Sequence, residues 1–230
     1  MRSNADPIVP FQELGFVVLP SFLLASERGE LRRACDLVLA RSRLKYRETA
    51  HSTERIELLA EGTSSEHPQD VLSPIARFAG SERVCALLLA LARVTRRDAP
   101  RLKGVHYYHE QTKRDWEGDW HRDSQFRQPD PALERQRIDT TLAIHVRVAL
   151  EDDDCLEIVP GSHARWDTPE ELRVRKGAER ASALMPNATR VRLRAGDGCL
   201  FHAWSIHRAT YRRAPVRRTV DALYELPPGS

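Results

Sequence analysis

The hydrophobic rhythm of the chain changes near its middle. Before Pro100 the apolar residues recur mostly at helical spacing, and after it they tend to alternate, as in strands with one buried face. A short opening strand, Gly15-Phe-Val-Val-Leu19, stops at Pro20. Ser26 is placed to cap a helix running to about Leu44, with Leu31, Ala34, Cys35 and Val38 on its buried side. A second helix is predicted from about Ser81 to Val94, with the stripe Val84, Leu87, Leu88 and Leu91. Leu89 and Ala90 make it apolar almost all round, the pattern of a buried helix. Between the two, Arg47 to Glu66 is polar and aperiodic apart from Ile56 and Leu58-Leu59-Ala60, and reads as a loop.

Strands are predicted at Leu102–Tyr108, Thr140–Leu150, Leu156–Val159, Val191–Leu193, Cys199–His202 and Thr219–Tyr224. Turn signals separate them at Glu151–Asp154, Pro160-Gly161 and Ala195-Gly-Asp-Gly198. Helices first and many short strands after predict a mainly β fold with supporting α. A helical layer would back an antiparallel double sheet, the double-stranded β-helix or cupin-like jelly roll.

A length of 230 residues fits one domain spanning 1–230. With 41% apolar and 30% charged residues the chain is globular, and a net charge of +3 gives no reason to expect nucleic acid as a partner. Of the 36 basic residues only Lys45, Lys103, Lys113 and Lys176 are lysines; the arginine bias serves anion binding or follows from a GC-rich coding sequence. Cys35, Cys85, Cys155 and Cys199 show no C-x-x-C pair and no zinc spacing, as in reduced cytoplasmic proteins. The longest apolar run, Cys85 to Ala92, is well short of the ~20 residues of a membrane span, and no charged-then-apolar leader opens the chain. A cytoplasmic location, with no membrane partner, is the expectation; oligomeric state has no signature.

The chemistry concentrates at Trp120-His121-Arg122-Asp123-Ser124-Gln125. In an extended segment residues i and i+2 point to one side, so His121 and Asp123 can both face a metal. A distant strand brings His207 as a third ligand. Two histidines and one carboxylate on one face leave three positions open, the arrangement non-heme Fe(II) oxygenases need. An H-x-D alone is weak, but four further features accompany it. Ile158-Val-Pro-Gly-Ser-His163 closes a strand with a sharp turn, Ala195-Gly-Asp-Gly198 precedes an apolar strand, and His202 and His207 follow. Arg218 then stands eleven residues after His207, at the start of the last strand. A buried Arg grips a carboxylate through two parallel hydrogen bonds, which Lys cannot copy.

Taken in this order, these motifs resemble the phytanoyl-CoA dioxygenase family. The resemblance runs from about Phe11 to Leu226, because Phe11-Gln-Glu-Leu-Gly-Phe-Val-Val-Leu-Pro20 is also similar to the family's N-terminal segment. It implies an Fe(II)- and 2-oxoglutarate-dependent dioxygenase on a jelly-roll core, using O2. His121, Asp123 and His207 would hold the iron. Arg218 would bind the far carboxylate of 2-oxoglutarate, with Tyr108 and Thr210 as further co-substrate contacts. The implied reaction hydroxylates a C–H bond of a small organic molecule or acyl substrate and releases succinate and CO2. The chain departs from the family pattern at Ala209, often Ser, at Asp154, often Gly, and at Arg147, often Trp.

Other readings compete. A metal-dependent cupin-like isomerase or lyase has no need of a diacid anchor such as Arg218. A halogenase lacks the carboxylate ligand that Asp123 supplies, and a non-catalytic jelly-roll module needs no ligands at all. Around the site, His145 and Arg147 share one strand face toward the pocket, Trp120 forms a wall, and His202 packs behind the ligands. His163 belongs to its turn, Arg122 and Arg127 lie near the mouth, and Arg217 and the acidic run Glu151–Asp154 are expected in solvent. Arg47–Glu66 and Lys113–Gly118 are expected to form a lid, since long irregular segments often do.

Overall fold

The computed structural model describes residues 6–45, 55–61, 67–110, 115–136 and 142–229. Helix α1 (Ile8–Leu14) and strand β1 (Phe16–Leu19) open the chain, followed by α2 (Ala25–Lys45), β2 (Arg55–Ala60), α3 (Gln69–Ala79) and α4 (Glu82–Thr95). Next come β3 (Arg101–His109), β4 (Trp116–Glu117), and the short helices α5 (Ser124–Arg127) and α6 (Pro131–Gln136). Strands β5 (Leu142–Ala149) and β6 (Asp153–Ile158) precede α7 (Pro169–Lys176). The chain closes with β7 (Thr189–Leu193), β8 (Gly198–His202), β9 (His207–Tyr211) and β10 (Arg218–Leu226).

Two antiparallel sheets result, one ordered β1-β8-β5-β10-β3-β2 and the other β4-β9-β6-β7. This is the jelly roll with a helical layer that the strand pattern predicts. On one face of the larger sheet, Ile144, Val146, Val148, Val220, Ala222 and Tyr224 pack with Leu31, Cys35, Val38, Ile75, Leu88 and Leu91 of the helices. On the other, Ala149, Cys199 and Phe201 meet Leu156, Ile158, Val191 and Leu193 of the smaller sheet. Alternate strand residues point to opposite faces, so His145, Arg147, Thr219 and Asp221 lie on this inner face. Buried polar groups are costly unless paired, and that inner face is where the site is built.

The structure revises several local expectations. Helix α2 begins at Ala25, so Ser26 lies inside it instead of capping it. Ser81 does cap α4, accepting from the Val84 amide at 3.4 Å, but Leu89 is 41% exposed and the helix keeps one open side. The middle of Arg47–Glu66 is strand β2, along the edge of β3. Ile56 and Leu58 are buried at a spacing of two, a rhythm that Leu59 obscures in the sequence, and the pairing with β3 shifts register between Glu57 and Leu59. It is therefore not one irregular loop, and apart from Glu61 its remainder lies outside the described residues, as do 113–114 of the second expected lid stretch. In that stretch Trp116 belongs to β4 and stacks on Tyr211, ring centroids 4.1 Å apart. Among the described residues no helix is long and apolar enough to cross a membrane.

Candidate metal and co-substrate site

His121 and His207 form an isolated antiparallel bridge and exchange both backbone hydrogen bonds, each 2.9 Å. That pairing sets their rings 4.3 Å apart, centroid to centroid. Asp123 follows two residues on, at the head of α5. Its Oδ1 lies 3.4 Å from His121 Nε2 and 3.5 Å from His207 Nε2. One donor atom from each of the three residues lies within 4.8 Å of the others. Both rings are oriented from behind, His121 Nδ1 donating to the Asp119 carbonyl (2.7 Å) and His207 Nδ1 to that of Ser205 (2.9 Å). A carbonyl only accepts, so each ring presents a bare Nε2 to the common centre. Burial, with His121 alongside, pushes His207 down to about 3 and keeps it a neutral donor. Burial alone would raise Asp123, but contacts from His121 and His145 hold its carboxyl well below the usual range. Two imidazoles and a carboxylate on one side are a donor set suited to divalent iron.

Arg122, between the two ligands, is fully buried and fastens the loop. It pairs with Asp167 (2.6 Å) and donates to the carbonyls of Ser162 (2.8 Å), Arg165 (3.2 Å) and Trp204. Asp167 also binds Arg175, which reaches Glu134. The Ser162 hydroxyl, in the Pro160–His163 turn, accepts from the Ile206 amide (2.8 Å), one residue before His207. Two motifs that the sequence shows separately are thus one brace around the ligands.

Inside the barrel a polar chain runs away from Asp123. His145 donates from Nε2 to Asp123 Oδ2 (2.8 Å) and from Nδ1 to Asp221 Oδ1 (2.7 Å). Burial would lower the His145 value, yet the charge of Asp221 and the hydrogen bonds that His145 donates to both carboxylates raise it to about 9. Asp221 Oδ2 accepts from Arg147 Nε at 2.8 Å. The Arg147 and Arg217 guanidiniums each lie 5.1 Å from the Tyr108 ring, and Arg217 lies 5.6 Å from Tyr211. Asp153 Oδ2 takes the Thr219 hydroxyl at 2.6 Å and stays 3.6 Å from Arg217 Nε. Arg217 is only 3% exposed, and among the described residues none of its three guanidinium nitrogens has a hydrogen-bond partner. Buried donors left bare are expensive.

The expected site residues are thus sorted. His121, Asp123 and His207 come together, and Tyr108 lies inside the barrel against both guanidiniums. Arg218 does not face the barrel interior, which corrects the role that the resemblance implied for it. It shares the helix-facing side of β10 with Val220 and Ala222, donating to Asp36 (2.7 Å) and pairing with Glu110. Arg217, expected in solvent, is the residue turned inward. Thr210 lies on the face of β9 opposite His207, its hydroxyl donating to the Cys155 carbonyl at 3.5 Å, so it does not line the cavity either. Asp153 is buried instead of solvated, and Arg122 is interior instead of at a mouth. His202 stacks on Phe11 on the helix-facing side of β8, and His163 holds its turn to the Gln12 carbonyl (3.1 Å). Trp120 is a wall, donating to the Ala183 carbonyl at 3.0 Å. The sequence reading missed Phe126, 68% exposed with its ring 5.0 Å from that of His121. Its signal was an apolar residue three places after a ligand.

A jelly roll with two histidines and a carboxylate converging inside it defines the class of the 2-His-1-carboxylate metal proteins. Residues 11–220 match the family model described as Phytanoyl-CoA dioxygenase (PhyH), and the chain belongs to that family. Among solved structures it is similar to AviO1 from Streptomyces viridochromogenes Tue57, at 20% identity and TM-score 0.65 over 100% of this chain and 99% of that one. It is also similar to the epimerase SnoN from nogalamycin biosynthesis, in complex with Fe3+, alpha ketoglutarate and nogalamycin RO. There the identity is 21% and the TM-score 0.61, over 95% and 81% of the two chains. HygX from Streptomyces hygroscopicus, with nickel and 2-oxoglutarate bound, shares 17% identity at TM-score 0.62 over 97% and 87%. No curated protein sequence matches the chain.

Proposed function

We propose that this chain is a single catalytic domain, an Fe(II)- and 2-oxoglutarate-dependent dioxygenase that hydroxylates a C–H bond of a small organic or acyl substrate. The observation that carries the reading is the pairing of an open His-Asp-His triad with a buried Arg217 whose donors lack partners. His121, Asp123 and His207 hold the iron on one side. Arg217 takes the far carboxylate of 2-oxoglutarate, its guanidinium plane set by Tyr108 and Tyr211. Charge supports joint binding. Arg147, Arg217 and His145 face Asp123, Asp153 and Asp221, so a divalent metal and a dianion together leave the balance unchanged, whereas either alone upsets it. Iron held there would supply O2 activation, with 2-oxoglutarate as the reductant that becomes succinate and CO2. Phe126, exposed beside His121, offers the substrate an apolar surface.

A 2-oxoglutarate-free isomerase or lyase is disfavoured because it leaves the Arg217 donors bare. The outcome at carbon is a separate question, since SnoN is described as an alpha ketoglutarate dependent epimerase and SnoK as a carbocyclase. Four free thiols and no membrane-spanning helix among the described residues accord with work in a reducing cytoplasm on a small-molecule partner.

The test is to load the protein with Fe(II) and 2-oxoglutarate without oxygen, follow the chelate absorption band, then admit O2 across a panel of candidate substrates. Substrate-dependent succinate, with a product that has gained one oxygen atom, is the expected result. Product of unchanged mass indicates epimerisation, and loss of two hydrogens indicates ring closure or desaturation. A protein that binds neither metal nor 2-oxoglutarate ends the reading, and Asp123→Ala is the negative control.

A further inference from the structure

Arg147 has so far only balanced the charge of Asp221, yet it is a second guanidinium buried on the same inner side of the barrel as Arg217. Its Nε and Nη2 serve Asp221 at 2.8 and 2.6 Å. Its Nη1 is buried and, among the described residues, has no hydrogen-bond partner. Balancing the charge of Asp221 needs only the first two nitrogens, so that duty does not account for a third donor buried bare. The guanidinium is planar, and two of its nitrogens are pinned by one carboxylate, which fixes the direction of the third. Arg147 shares the Tyr108 ring with Arg217, at the same 5.1 Å, and packs on Phe201 as well. Both orphan sets therefore border one aromatic side chain.

We propose that Arg147 is a second contact for the co-substrate's far carboxylate, donating from Nη1 while Arg217 donates from its own fork. The cavity then selects a 2-oxo acid carrying a second carboxylate over one with a neutral tail. This rests on the dioxygenase reading of the site. Arg147 is also the last member of the chain Asp221–His145–Asp123, so contact with the diacid must be separated from simple bracing of the metal ligand.

The experiment titrates the Fe(II)-loaded protein, without oxygen, with 2-oxoglutarate and with 2-oxopentanoate. Both carry the same metal-chelating head, and only the first has a second carboxylate. Wild type is expected to prefer 2-oxoglutarate. In Arg147→Met that preference falls roughly 10- to 100-fold, the weight of a charge-assisted hydrogen bond, while 2-oxopentanoate and Fe(II) binding stay within about twofold. Arg147→Lys keeps a cation for Asp221 but loses the fork that spans both partners; it shows the same loss and carries the test if the Met variant does not fold. Unchanged preference in the variants overturns the proposal. So does a parallel weakening of both acids and of iron, which marks a brace alone. A wild type that binds both acids equally instead overturns the dioxygenase reading of Arg217, and this proposal falls with it.

Discussion

His145 Nε2 lies 2.8 Å from Asp123 Oδ2, so the carboxylate oxygen turned away from His121 and His207 already has a partner. Asp123 can then offer a metal only Oδ1. His145→Leu frees the carboxylate to rotate and removes one of the two partners of Asp221, leaving it Arg147. Removing such an outer support typically costs 10- to 100-fold in metal affinity, and that loss is expected here, with His145→Gln less affected. Calorimetric titration of the metal-free protein with Co(II) measures it, and wild-type affinity in the Leu variant would refute the orienting role.

Arg217 and Arg218 should differ sharply when each is changed to Met. Loss of a buried partner to a carboxylate costs ~2–5 kcal/mol, so Arg217→Met is expected to weaken 2-oxoglutarate by about thirtyfold or more. Arg218→Met removes an ion pair with the exposed Asp36 and a largely buried one with Glu110; it lowers Tm and leaves the co-substrate affinity within about twofold. The reverse order would return the anchoring role to Arg218.

Arg122→Met takes the centre out of a buried ionic network, leaving Asp167 paired with Arg175 but without its second cation. Breaking one side of such a pair costs ~3–5 kcal/mol. Urea unfolding should show that loss, together with weaker metal binding as the ligand loop loses its hold on Ser162 and Trp204. A midpoint equal to wild type would mean the network carries no stability.

Asp153 gives a pH signature. Burial would raise its carboxyl, but Arg217 and the Thr219 hydroxyl hold it at about 2, against an ordinary value of 3.8. A depressed carboxylate stabilises the fold above its unfolded value and loses that contribution as pH falls through its folded one. The difference corresponds to about 2 kcal/mol at neutral pH. Asp153→Asn should therefore be less stable than wild type at pH 7, with the gap closing between about pH 4 and pH 2. Urea unfolding across that range tests it, and a gap independent of pH assigns the effect to packing.

How far the site could be read in advance depended on which contacts are local. The ligand spacing in His121-Arg122-Asp123 is local, and so are the turns that brace it. The last strand was also legible: Val220, Ala222 and Tyr224 alternate as one apolar side, and Arg218 belongs to it by parity, leaving Arg217 with Thr219 and Asp221 on the other. Counting eleven residues from His207 overrode that pattern. Thr168-Pro-Glu-Glu171 likewise spelled out the capping box that starts α7. The chain from Asp123 through His145 and Asp221 to Arg147 was not legible, because it depends on the register of β5 against β10. No periodicity within one segment reports the register between two.

The backbone bridge between His121 and His207 bears on how the protein comes by its metal. Their rings are held 4.3 Å apart by main-chain bonds and turned by neighbouring carbonyls. The placing of these two ligands is therefore written into the backbone pairing, in contrast to small zinc domains that collapse only around their ion. Chelator-stripped protein should keep its circular dichroism and recover activity on adding Fe(II) alone, with no refolding step.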